Sequence, residues 1–342
     1  MNRIIISLMT PCLLIAASLF YPDKALANSA SKFITVDGHK EYYKVPSTSK
    51  PKISETHYSY KKVAAALTRD CTTDYEKICA INSWITRNIE YDTTYSIRTA
   101  DECFDKRKGV CQGYCELFYR IAEAAGVNVE IIVGISRSIT GEMNSGRHAW
   151  IFAYTRPFYG IFVDPTWDAG TVSNNEFKYS EVHGYWFNVD PEWMILNHFP
   201  DDESCQLLQQ PLTKDEFLSM DYAFSVMYKY GFDAHELLNR AMDKTLSIPK
   251  VYGGGDTVFK VLDVPIEQEL KKGQTYTFRI KKLSGNDIIL RADRDYTVSE
   301  GEWLYEGDDR YSITITPTAA DSVVLCAVID DNIYTCIEYG IR

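Results

Sequence analysis

The sequence predicts an α+β protein: a mixed helical and β core followed by a C-terminal all-β sandwich domain. Three observations carry that expectation. Apolar residues recur at helical spacing from Tyr58 to Ala125, and short β-branched or aromatic runs follow from Val127 to Val163. From Gly253-Gly254-Gly255 onward, alternation of period two replaces the helical spacing. The length of 342 residues exceeds what one core usually serves, so two domains are expected. A composition of 45% hydrophobic and 24% charged residues excludes a collagen, a disordered tail protein and a disulfide-packed miniprotein. The net charge of −11 argues against nucleic acid as a partner, since that contact needs concentrated Lys and Arg.

Residues 1–27 read as a signal peptide. Arg3 precedes the uncharged apolar run Ile4 to Phe20, and Ala25-Leu26-Ala27 offers a small-x-small cleavage site after Ala27. Pro11 and the short length argue against a spanning helix, and no other stretch suits one. The expectation is a secreted or periplasmic chain beginning at Asn28, without a membrane span after cleavage. Residues 28–56, polar and carrying Pro46 and Pro51, read as a surface leader. A first domain is expected over 57–210, a helical extension over 211–250 and the β-sandwich over 251–342.

Within the first domain, Thr73-Asp74-Tyr75-Glu76 is a capping box opening a helix whose stripe is Ile78, Ile81, Trp84, Ile85 and Ile89. A second helix is expected from Cys111 to Ala125, stopped by Gly126, with Leu117, Phe118 and Ile121 on its apolar face. Strands are expected over 127–134, 148–154 and 160–163. Thr213 to Glu216 is a second capping box. In the C-terminal region Gln274 to Lys281 sets Tyr276, Phe278 and Ile280 against Thr275, Thr277, Arg279 and Lys281. Further strands are expected near 257–263, 286–292, 311–316 and 322–339.

Three segments carry chemistry: Gly109-Val110-Cys111-Gln112-Gly113-Tyr114, Arg147-His148-Ala149-Trp150 and Val163-Asp164-Pro165-Thr166-Trp167. A cysteine at a helix start meets free backbone N–H groups and the helix dipole, which favour a thiolate and can hold an oxyanion. His148 at a strand start can act as base and then acid. Asp164, at the end of the next strand of a hairpin turning near Phe158, can fix the imidazole tautomer. Each residue alone suits a structural role, and the three together suit acyl transfer. Cys103, Cys111 and Cys115 with His148 could instead bind zinc, although their spacing fits no usual ligand pattern. No cofactor or metal is expected.

These motifs resemble the transglutaminase-like superfamily of papain-type cysteine enzymes, whose Cys–His–Asp triad would fall on Cys111, His148 and Asp164. Asn88 to Asp92, Tyr185-Trp186-Phe187, Asp190-Pro191-Glu192, His198 to Asp202 with Gln206-Leu207-Leu208, and Pro211 to Phe217 are similar to the kyphoscoliosis peptidase branch. The resemblance covers roughly residues 57–340 and implies a papain-like transglutaminase core. It implies a protein or peptide substrate, attacked at an amide to form a thioester that water or an amine resolves. Cys115, Asp168 and Cys205 depart from the residues usual there, and residues 93–110 hold no Gln or Trp for an oxyanion hole.

A second class of function is a binding or scaffolding protein that keeps the fold. Tyr252, Trp303, Tyr305 and Tyr311 would then form a platform for a cell surface or a glycan. Of the nine cysteines, Cys12 leaves with the signal peptide. Cys326 and Cys336 are expected opposite each other across a hairpin centred on Asp331, within disulfide reach. Cys71 with Cys79 and Cys103 with Cys115 are weaker pairings. With Cys111 reduced, an odd number of cysteines is left, so at least two free thiols are expected.

Overall fold

The computed structural model describes residues 33–46, 60–138, 141–144, 146–180, 183–223, 226–292, 296–298, 303–318 and 321–342. The expected signal peptide lies outside the described residues. Among these residues, no helix is long and apolar enough to cross a membrane.

The first half is built on a seven-stranded sheet. Its path runs Phe33–Val36, His39–Tyr43, Tyr159–Val163, His148–Arg156, Val129–Ser136 and His198–Pro200, with Phe187–Val189 also paired to Tyr159–Val163. All of these pairings are antiparallel. Strand His148–Arg156 shows why its sequence is almost wholly apolar. Successive side chains point to opposite faces, so Ala149, Ile151 and Ala153 join one core while Trp150, Phe152 and Tyr154 join another. A strand buried on both faces has no polar side to display.

The inner core is closed by helices Tyr60–Leu67, Asp74–Asn88 and Cys111–Ala124. The capping box forms as expected: Glu76 N donates to Thr73 Oγ1 at 3.2 Å, and Thr73 N donates to Glu76 Oε2 at 3.0 Å. Ile78, Ile81, Ile85 and Ile89 are all buried in the resulting seam. The second box forms at Thr213 and Glu216, and the helical extension consists of three short helices, Lys214–Ser219, Val226–Tyr230 and Ala234–Met242.

The C-terminal region stacks two sheets. One sheet of six strands is centred on the pair Ser322–Ile329 and Asn332–Ile341, and the other has four in the order Phe259–Asp263, Tyr276–Lys282, Arg310–Ile315, Leu304–Gly307. The alternation in Tyr276–Lys282 puts Phe278 and Ile280 inward, where Phe278 meets Tyr339 edge-on at 5.5 Å. The outer core of the first sheet is continuous with that of the sandwich. It runs from Trp150 through Met194, Phe217 and Tyr230 to Phe259 and Leu325.

Two expectations are corrected. The segment read as a surface leader supplies the hairpin Phe33–Val36 and His39–Tyr43, and Tyr42 pairs with Gly160 at the edge of the central sheet. Asp37 and Gly38 turn it with φ of 46° and 83°, as a two-residue turn with positive φ at both positions requires. Cys326 and Cys336 are not opposite each other. The turn at Asp330-Asp331 pairs Ile329 with Asn332, which sets Cys326 against Thr335 and leaves Cys336 at a bulge.

Candidate active site

The start of helix Cys111–Ala124 is fixed from below. Tyr91 pairs with Gly109 in a short parallel ladder, Asp92 N donates to Gly109 O at 2.9 Å, and Val110 N donates to Ile97 O at 2.9 Å. The Asp92 carboxylate ties down the intervening loop by accepting from Thr94, Ser96 and Ile97 backbone N–H groups at 2.8 to 3.0 Å. Burial disfavours its charge, but these bonds and the Thr94 hydroxyl outweigh burial and hold its pKa well down. Gly109 and Gly113 let the chain close up: a Cβ on Gly109 would stand 2.8 Å from Cys103 Sγ, and one on Gly113 3.3 Å from Ile97 O. The helix is capped by Val110, which makes no side-chain cap bond. A Ser, Thr or Asp there would occupy a first-turn N–H; valine leaves those donors beside Cys111 open.

His148 opens its strand opposite Gly134, and its Nε2 lies 2.6 Å from Asp164 Oδ2. The hairpin turns through Pro157 and Phe158, which has φ of 64°, and brings Asp164 back beside His148. Asp164 is also the N-cap of the helix Pro165–Ala169, its Oδ1 accepting from Thr166 N at 2.9 Å and Trp167 N at 3.0 Å. The Cys111 thiol lies close enough to the His148 ring to feel its charge, and its Sγ is 3.8 Å from Arg147 O. The structure thus brings all three expected residues together.

The electrostatics follow from burial and pairing. Burial opposes an imidazolium at His148, but the charge and hydrogen bond of Asp164, with help from Cys111, outweigh it and raise the pKa to about 10. Burial likewise opposes the Cys111 thiolate, yet the bond and charge of His148 bring its pKa below the ordinary thiol value. Burial also opposes the Asp164 anion, and His148 followed by His198 holds its pKa far down. These shifts favour a thiolate, an imidazolium and a carboxylate at the three positions. The other thiols behave oppositely: burial pushes Cys103 up to about 12 and Cys115 well above its usual range.

The Asp168 carboxylate is bonded to groups other than His148. It accepts from Asn82 Nδ2 at 2.8 Å, Gly184 N at 2.6 Å and Trp186 N at 3.2 Å, which fastens the following loop to the first long helix. Gln112 turns along its own helix to donate to Glu116 at 2.8 Å. Of the expected aromatic platform, Tyr305 and Tyr311 meet at 5.2 Å, whereas Tyr252 bonds Glu338 on the other sheet and Trp303 packs against the core.

One residue at the site has no role in the sequence reading: His198. Its Nε2 lies 3.0 Å from Asp164 Oδ2, and its side chain is fully buried. Its ring packs against Trp150, Trp167 and Trp186 at 4.5 to 5.2 Å. Burial lowers its pKa to about 4 despite Asp164, so it is neutral. His148, Asp164 and His198 are a group of three metal-ligating types whose ligand atoms lie within 4.8 Å of one another. The carboxylate oxygen sits 2.6 and 3.0 Å from the two nitrogens, closer than the roughly 3.3 Å between ligands on a tetrahedral zinc. These contacts suit shared protons rather than an ion. All eight described cysteines are thiols, with Cys79 exposed and Cys71, Cys111 and Cys205 partly so.

Residues 61–191 match the family model of the transglutaminase-like superfamily. The chain is similar to members of the kyphoscoliosis peptidase branch. The mouse and human kyphoscoliosis peptidases are 30% and 31% identical over 182 residues, spanning 50% of this chain and 27% of each relative. The alignment therefore covers about a quarter of those longer proteins. A solved structure of a proposed cysteine protease from Cytophaga hutchinsonii is 24% identical, with a TM-score of 0.28 over 31% of this chain and 36% of that one.

Proposed function

We propose that the chain is an exported cysteine acyl-transfer enzyme acting on protein or peptide amides. The observation that carries this reading is the placement of Cys111 beside the hydrogen-bonded pair His148–Asp164 at an uncapped helix N-terminus. The Cys111 thiolate attacks the amide carbon, and the open first-turn N–H groups receive the oxyanion. His148 then passes its Nδ1 proton to the leaving nitrogen as the C–N bond breaks, and a thioester remains on Cys111. Water, deprotonated by the now neutral His148, adds to the thioester carbon, and the thiolate departs with an acid as product. An amine in place of water gives a cross-link. The relatives are named peptidases, which favours water.

The test compares wild type with Cys111→Ala on a mixture of unstructured polypeptides. New amino termini formed only by wild type support hydrolysis, and a fluorescent primary amine joined to glutamine side chains supports transfer. If neither product depends on Cys111, and Cys111 reacts with iodoacetamide no faster at pH 7 than free cysteine, the reading is overturned.

A further inference from the structure

We propose that His198 is a positioning residue for the pair His148–Asp164: its Nε2–H donates to the same Asp164 oxygen that holds His148, anchoring the carboxylate and tempering the basicity of His148. The inference rests on the acyl-transfer reading and deepens it.

The geometry accounts for every acceptor site of Asp164. Oδ1 takes the N–H groups of Thr166 and Trp167, and Oδ2 takes His148 at 2.6 Å and His198 at 3.0 Å. A carboxylate held by four donors cannot rotate away from His148. The tautomer of His198 follows from its partner, because an ionised carboxylate only accepts, so the ring proton must sit on Nε2. Nδ1 is buried without a hydrogen-bond partner. A second proton there would place a cation among indoles with the His148 ring 5.1 Å away.

Packing alone does not require an imidazole at this place. Trp150, Trp167 and Trp186 form an apolar wall, and a phenyl ring would fill it without burying polar nitrogens. The imidazole is distinguished by the one bond it makes. A hydrogen bond to the charged form of a carboxylate stabilises that form and so weakens its pull on any other proton. With His198 in place, Oδ2 divides its charge between two donors, and His148 is a stronger acid than Asp164 alone would leave it. This matters because His148 must surrender its proton to the departing amine.

The experiment follows alkylation of Cys111 by iodoacetamide from pH 5 to 11.5, reading the Cys111 peptide by mass spectrometry. Wild type, His148→Ala, His198→Phe and His198→Gln are compared, each first shown to be folded by circular dichroism. In wild type the upper inflection reports loss of the His148 proton. His198→Phe keeps the packing and removes the donor, and the inflection is expected to rise by about 0.5 to 1 pH unit. His198→Gln restores an N–H near the Nε2 position, and the inflection is expected back at its wild-type value. If His198→Phe is not folded, His198→Met, which also lacks a donor, takes its place. An inflection unmoved or lowered without the donor, or moved equally by His198→Gln, overturns the role of His198. A wild-type profile that His148→Ala leaves unchanged overturns the acyl-transfer reading itself, so the two failures are distinct.

Discussion

Replacing Asp164 by Asn tests the electrostatic argument most directly, because it removes one charge and almost no volume. The asparagine oxygen can keep the N-cap bonds from Thr166 and Trp167, so the helix Pro165–Ala169 has no reason to move. The amide nitrogen then replaces Oδ2 and donates toward His148 Nε2, which must accept. Any ring proton on neutral His148 is thereby forced onto Nδ1, the nitrogen facing sulfur, where it can no longer take a proton from the thiol. The carboxylate is also the chief reason that His148 rises from 6.5 to about 10, roughly 3.5 powers of ten in proton affinity. Without it the imidazole is mostly neutral at pH 7, and Cys111 loses its counter-ion. A thiol at the ordinary value of 9.0 is about 1% thiolate at pH 7, and burial lowers that fraction further. Since only the thiolate reacts, iodoacetamide labelling of Cys111 at pH 7 should fall, by up to about 100-fold, and should climb steeply with pH above 8. The assay is peptide-resolved labelling, with the melting temperature as a check on folding. A folded Asp164→Asn protein that labels within about threefold of wild type would refute the claim that the imidazolium activates the thiol.

Three further outcomes follow from the same structure. An added methyl at Gly134 would stand 2.0 Å from Phe199 O and 2.8 Å from the Trp150 ring, so Gly134→Ala should lift the strand His198–Pro200 away. The cost should be about 2 to 3 kcal/mol, a drop of roughly 5 to 10 °C in Tm by calorimetry, and an unchanged Tm would contradict the close approach. His198 has its folded pKa lowered to about 4, so below 6.5 the unfolded chain binds a proton that the folded chain refuses. Stability attributable to His198 is whole above pH 6.5 and falls toward pH 4, by about 3 kcal/mol at most, and urea midpoints for His198→Phe should fall less over that range than those of wild type. In native-state labelling at pH 7.5, Cys111 and exposed Cys79 should react first, while buried Cys103 and Cys115 should react only in urea.

Much of the site was legible because its parts are local. The segment from Gly109 to Gly113 marks the helix start at Cys111, and one short hairpin carries both His148 and Asp164, 16 residues apart. The α+β class and the stacked C-terminal sheets were legible for the same reason, since period-two alternation is a property of each strand by itself. What escaped depends on register or on weak turn signals. Asp37-Gly38 is a hairpin signal that the surrounding polar residues obscured, so the edge strands that cover Tyr159–Val163 passed for a leader. Counting symmetrically about Asp331 placed Cys326 opposite Cys336, but a two-residue turn at Asp330-Asp331 shifts the count by one.

His198 is the instructive omission. It lies 34 residues from Asp164 and reaches it only because the strand His198–Pro200 pairs with Val129–Ser136, setting His198 against Ser136. That pairing depends on Gly134, whose missing side chain admits Phe199, and no spacing rule connects a glycine in one strand with a histidine more than sixty residues later. The three tryptophans around His198 come from equally separate segments: a central strand, the helix after Asp164 and the loop before Phe187–Val189. Their combined effect is to exclude water from Asp164, where low polarity strengthens every charged contact. The three motifs therefore specify which groups come together. How firmly the carboxylate holds the imidazole is decided by residues that only the folded sheet brings together, and substitutions at Gly134 or the tryptophans should alter Cys111 reactivity without touching the triad.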